Sequence, residues 1–218
     1  WDIGFNKSDS AAMKTIYQIG KVPLPPYVKR SHYFHKNDVV NYQTIFAKKV
    51  GSIAAPTAGF HFTPKILKQL KSKGVKIKFV TLHVGLGTFA PVKVNDIVKH
   101  KMHAEWVEVK KDVTKEIIAA KQQNRRVIAV GTTSTRALES VFSQIVSRQQ
   151  IKDFSGWINI FIYPGYKFKA VDALITNFHL PKSSLIMLVS AWAGTDLIKQ
   201  AYQEAIEQGY RFFSYGDA

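Results

Sequence analysis

"RVIAVGTTSTRALESVFSQIV", Arg126 to Val146, decides the fold class. It opens on a short apolar run, Arg126 to Val130, that reads as a buried strand. A hydroxyl-rich turn follows, and from Ser134 to Val146 the apolar residues recur at helical spacing. Asp112 to Gln123 reads as another helix just upstream. Strand and helix therefore alternate, which predicts an α/β fold: a mixed, mostly buried β-sheet with helices packed on it.

Working outward, Thr63-Pro64 supplies an N-cap and a first-turn proline, Ile66, Leu67 and Leu70 form a buried stripe, and Gly74 closes the helix. Strands are expected over Lys76 to Val84, with Ile77, Phe79, Thr81 and His83 on one face, and over Ala104 to Val109, with His103 and Glu105 sharing a face. "WINIFIY" (Trp157 to Tyr163) and Phe168 to Thr176 read as strands joined through the turn "PGY". Helices are expected at Ser184 to Ala193 and Asp196 to Gln208. Near the start, Ser10 to Ile19 reads as a helix ended by Gly20, and "VPLPPYVKR" (Val22 to Arg30) must be extended because of its prolines. A charged connection from Lys29 to Lys49 is expected to hold one short strand, Tyr42 to Ala47.

The 218 residues suffice for one main domain, and 46% hydrophobic with 21% charged residues is the composition of a folded protein. There is no cysteine, so neither a disulfide framework nor a thiolate metal site is available. The longest apolar candidate, "SLIMLVSAWAG" (Ser184 to Gly194), is about half of what a bilayer span needs. With no signal peptide visible, these features point to the cytoplasm. A net charge of +16 favours a polyanion such as nucleic acid, although most of the cations are lysine and a lysine-rich genome would decorate any surface this way. The chain starts at Trp1 without an initiator Met and stops at Ala218 after the strand-like "YRFFSYGD", as expected of a fragment.

Several short stretches carry chemistry. "TLHVGLGTF" (Thr81 to Phe89) sets Gly85 and Gly87 at a strand end, but Pro91 follows where a dinucleotide fingerprint needs a helix. What remains is either a loop whose bare backbone approaches a ligand or a plain tight turn. "AAPTAGFHFT" (Ala54 to Thr63) places His61 among small residues ahead of a helix start, where an anion is favoured and a packed turn is the simpler alternative. "HKMHAEW" (His100 to Trp106) offers two histidines and Glu105 as metal ligands or an acid/base set, against the commoner hydrogen-bonded core histidine. "GTTSTRALES" (Gly131 to Ser140) and "NFHLPKSS" (Asn177 to Ser184) both suit phosphate or carboxylate binding at a helix start, the second through His179 and Lys182, or are simple helix caps.

Together these words resemble the S-adenosylmethionine:tRNA ribosyltransferase-isomerase family of queuosine biosynthesis. The resemblance rests on "PLPPYVKR", "YQTIFAKKVGSIAAPTAGFHFT", "VTLHVGLGTFAPVKV", "HKMHAEW", "VIAVGTTSTRALES", "IFIYPGYKF", "VDALITNFHLPKSSLIMLVSA" and "YRFFSYGDA", in family order over most of the chain. It implies a main α/β domain over residues 23–218, with residues 1–22 as the tail of an inserted β-barrel that is mostly absent. It also implies transfer and isomerisation of the ribosyl group of S-adenosylmethionine onto the aminomethyl-deazaguanine of a precursor tRNA, giving epoxyqueuosine, adenine and methionine.

In that chemistry the sulfonium acidifies the adjacent ribose methylene and makes methionine a good leaving group, so the protein must place proton carriers and exclude water. S-adenosylmethionine is a substrate, and no metal or other cofactor is implied. The resemblance makes His61, His83, His103 and His179 the candidate proton carriers, with Glu105 as a partner that orients one of them. Gly85, Gly87 and Thr88 are expected against the adenosyl group. Thr133, Ser134 and Arg136 are expected on the methionine carboxylate or a tRNA phosphate, with Lys101 and Lys182 on the RNA backbone. Two rival readings remain: a basic RNA-binding fragment without catalysis, and a metal hydrolase built on His61, His83, His100 and His103.

Overall fold

The computed structural model describes residues 4–6, 8–25, 27–28, 37–85, 97, 100, 102–148 and 150–218. The chain forms two compact units, residues 1–42 and 43–218. The first holds helix α1 (Asp9–Ile19) and the short α2 (Asp38–Asn41). Gly20 caps α1 with its N–H on the Ile16 carbonyl at 2.7 Å.

The second unit is mixed α/β. Strands β1 (Thr81–His83), β2 (Glu105–Val109) and β4 (Phe154–Ile158) form an antiparallel sheet with β2 in the middle, and β3 (Ile128–Val130) pairs in parallel with β5 (Ala173–Ile175). Helices α3 (Pro64–Ser72), α4 (Lys111–Gln122), α5 (Thr132–Arg148), α6 (Ser184–Ala193) and α7 (Thr195–Glu207) complete it. Burial alternates along β2: Glu105, Val107 and Val109 point inward. Val107 and Val109 meet Ala137, Leu138, Val141 and Ile145 of α5 and Ile117 of α4 in the main core. A second cluster, Ile162, Leu188 and Val189, seats α6. Thr63 caps α3 by accepting from the Ile66 N–H at 3.2 Å, and bonds from Gly74 and Val75 back to Lys71 and Leu70 close its far end.

The expected strands are longer than the observed ones. Residues 76–80 pair with no strand among the described residues, and Lys76 and Lys78 reach Glu116 and Asp112 of α4 at 2.7 and 2.9 Å. Before β5, the N–H groups of Lys169, Ala170 and Val171 donate to the buried Glu139 carboxylate at 2.9 to 3.0 Å. The expected strand at Tyr42 to Ala47 is instead the end of α2 followed by a turn in which Ala47 donates to the Thr44 carbonyl. The "WINIFIY" strand is shifted upstream to Phe154–Ile158, and the "PGY" turn closes with the Tyr166 N–H on the Tyr163 carbonyl at 3.0 Å.

Candidate active site at the end of the parallel pair

Because β3 and β5 run parallel with Val130 opposite Ile175, the turns after them leave the sheet at the same end. Gly131 makes the first turn in the left-handed region, φ 91°, while donating to the Ile175 carbonyl at 2.9 Å. A side chain at that φ would be strained. Helix α5 then starts at Thr132, with Thr132, Thr133 and Thr135 buried and Ser134 half-buried.

Arg136, one turn into α5, is 4% exposed. Its Nη1 lies 2.9 Å from Oε2 of the equally buried Glu105, and its Nε donates to the Ile160 carbonyl at 3.2 Å. Nη2 is buried without a hydrogen-bond partner among the described residues. Burial pulls the guanidinium below its usual range, and Glu105 opposes that pull. A buried donor with no acceptor is costly, so this atom is a place for an anionic or carbonyl-bearing ligand group.

The turn after β5 carries Thr176, Asn177, Phe178 and His179. Thr176 Oγ1 lies 3.0 Å from His179 Nε2, and the His179 N–H donates to the Tyr202 hydroxyl at 2.7 Å. Burial pushes the His179 imidazole down to about 4, so it is neutral at physiological pH. Phe178 stacks on Phe212 at 4.8 Å and meets Tyr202 edge-on at 5.2 Å, which fastens the chain terminus and α7 to this turn. Lys182 is exposed at φ 56°, just before Ser183 caps α6.

His61 arrives from a distant segment. The 3-10 turn Thr57–His61 packs with Ala58 and Gly59 buried, and the Thr57 hydroxyl donates to Asn177 Oδ1 at 2.9 Å. His61 is exposed, with Nε2 3.3 Å from Asn177 Nδ2. Asn177, Thr57, Thr176 and Tyr202 thus join the site, and sequence reasoning missed them. Asn177 stood inside the quoted "NFHLPKSS", but an asparagine in a turn reads as a capping residue until its partners are known.

His83 lies on the antiparallel sheet, in β1. It pairs across strands with Trp106, which pairs with Trp157, so the three share the face of the sheet opposite to Glu105. Its ring is 4.9 Å from Trp106. Gly51, at φ +136°, packs so closely that a Cβ there would collide with His83 Nδ1. His103 is exposed in the segment before β2, so it does not share a strand face with Glu105. His100 meets Phe161 edge-on at 5.0 Å. Gly85 follows β1, and among the described residues nothing stands within 4 Å of where its Cβ would be. Gly87, Thr88 and Lys101 lie outside the described residues. The structure thus joins His61 to the His179 turn and Glu105 to Arg136, and sets His83 on the other side of its sheet. Among the described residues no three His, Asp or Glu side chains gather closely enough to share a metal ion.

Similarity to known proteins gives the family. The family model described as "Queuosine biosynthesis protein" matches residues 2–218. The S-adenosylmethionine:tRNA ribosyltransferase-isomerase of Halothermothrix orenii is 54% identical over 205 residues, covering 94% of this chain and 58% of that protein. The crystal structure of S-adenosylmethionine tRNA ribosyltransferase from Thermotoga maritima is 41% identical and superposes with a TM-score of 0.59, over 73% of this chain and 49% of that one. The chain therefore spans somewhat over half the length of the relative it matches so closely. With nearly its whole length inside the family model and more than half its residues shared with that relative, the chain belongs to the queuosine biosynthesis protein family.

Proposed function

We propose that this chain carries catalytic residues of an enzyme that transfers and isomerises the ribosyl group of S-adenosylmethionine onto the aminomethyl-deazaguanine of a precursor tRNA. The products are epoxyqueuosine in tRNA, adenine and methionine. The observation that carries the proposal is 54% identity, over 94% of the chain, to a protein named for that reaction. S-adenosylmethionine is consumed as a substrate, and the cytoplasm is where precursor tRNA and protein meet. Among the described residues no helix is long and apolar enough to cross a membrane.

The residue roles follow from chemistry. Arg136 Nη2 and the start of α5, with Thr133 and Ser134, suit the methionine carboxylate, since a charge-assisted donor inside a dry site holds an anion firmly. Glu105 keeps that guanidinium in place. Gly85, Gly87 and Thr88 are assigned to the adenosyl group, and Lys101 and Lys182 to the tRNA backbone. His83 and His103 remain the proton carriers in this reading, and His61, held beside the His179 turn by Asn177, is assigned to the departing adenine. The neutral, buried His179 acts as a hydrogen-bonding wall, a role its depressed basicity suits better than proton shuttling near pH 7. Residues 1–22 as the tail of an inserted barrel belong to the same proposal.

The test is adenine release from S-adenosylmethionine in the presence of precursor tRNA, measured on this chain and on a full-length family member. Release by both supports the proposal. Tight tRNA binding without release by this chain would favour the RNA-binding reading, and loss of activity on chelation would favour the metal hydrolase.

A further inference from the structure

Asn177 is 5% exposed, and both ends of its amide are engaged. The carbonyl oxygens of Gly216 and Asp217 lie 3.2 and 3.5 Å from one end. Carbonyls only accept, so the atom facing them is Nδ2, and Oδ1 is the atom that accepts from the Thr57 hydroxyl at 2.9 Å. The orientation of the amide is therefore fixed without reference to any histidine.

Nδ2 also faces His61 Nε2 at 3.3 Å. An amide nitrogen has no lone pair to offer, so it donates, and Nε2 must accept. A neutral imidazole carries its proton on the other nitrogen, Nδ1. An imidazolium would set one N–H against another. Asp217, whose charge interacts with His61, has its two carboxylate oxygens taken by the Arg211 N–H at 2.9 Å and guanidinium at 2.7 Å.

We propose that Asn177 is a positioning residue that holds His61 in its neutral Nδ1–H tautomer, so that His61 presents a hydrogen-bond donor to the substrate. This rests on the function proposed above and narrows it. A base needs a free lone pair, and the ring has committed the one it owns to Asn177. When the bond between ribose carbon and adenine nitrogen breaks, the electron pair passes to the purine, a fixed N–H aimed at a purine nitrogen stabilises that charge while keeping its own proton, and the adenine anion takes its proton from water as it leaves. Removal of the proton beside sulfur then belongs to another group.

The ring nitrogens of His61 decide the matter in the unmodified protein. Long-range nitrogen–proton correlation spectra at neutral pH, with the His61 signals assigned by their loss in His61→Ala, should show Nδ1 protonated and Nε2 bare. A proton on Nε2 would overturn the proposal. Asn177→Asp replaces the donor by an acceptor and should move the proton to Nε2, while kcat for adenine release falls about tenfold or more with little change in KM for S-adenosylmethionine. An unchanged tautomer, or an unchanged kcat, in folded Asn177→Asp counts against it. Should that variant not fold, the spectrum of the unmodified protein still decides the tautomer. A bare Nε2 in a full-length protein that releases no adenine upholds the tautomer and sinks the reaction instead.

Discussion

Arg136→Ala leaves the Glu105 carboxylate buried without its guanidinium, and breaking a buried pair on one side costs about 3–5 kcal/mol. Denaturant titration should show the midpoint falling with an unchanged slope. The pair itself is weak evidence of stability, because desolvation opposes the Coulomb attraction, which agrees with its assignment to ligand binding. His179 makes a second prediction. Its folded value of about 4 lies below the ordinary 6.5, so the unfolded chain binds the extra proton first as pH falls. Stability from this group is complete above about pH 6.5 and declines toward pH 4, by roughly 3 kcal/mol in all. His179→Gln should flatten that part of the stability profile between pH 4 and 6.5. Sequence marked both residues through their motifs, yet burial and partners, which set their roles, come from segments far away in the chain.

Strand lengths are decided between elements. The three N–H groups from Lys169 to Val171 and the Tyr166 hydroxyl all converge on Glu139 of α5, where the pattern of Phe168 to Thr176 alone reads as one long strand. Glu139→Gln keeps one carbonyl oxygen and turns the other acceptor into a donor, so it should cost about 1–3 kcal/mol in thermal or chemical unfolding. At the other sheet, Gly51 lies against His83, and Gly51→Ala adds a Cβ where the ring now stands, in a backbone region disfavoured for alanine. It should destabilise by about 1 kcal/mol or more and shift the His83 and Trp106 ring resonances, whereas an unperturbed spectrum would remove the contact. The helices were legible because their caps and periodicity are local: Ser184–Ala193 is found where the apolar run predicted, and Thr63 caps α3 as its sequence indicates.

Across the whole molecule the +16 charge is the property that acts at a distance, and a polyanion held by it would bind in a salt-sensitive way. Lys182→Ala should reduce the slope of log affinity for tRNA against log salt by about 1, and an unchanged slope would take Lys182 out of the interface. The sequence by itself determined the α/β class, most helices, the family and the short words in which the site lies, because periodicity, caps and long specific motifs are written in neighbouring residues. Only the tertiary structure decided that His61 and Asn177 meet, that Arg136 is buried on Glu105, and that His83 faces away from that pair. Such meetings depend on which strand ends share an edge and which face each side chain takes, and both are settled by pairing between segments that the chain order keeps far apart.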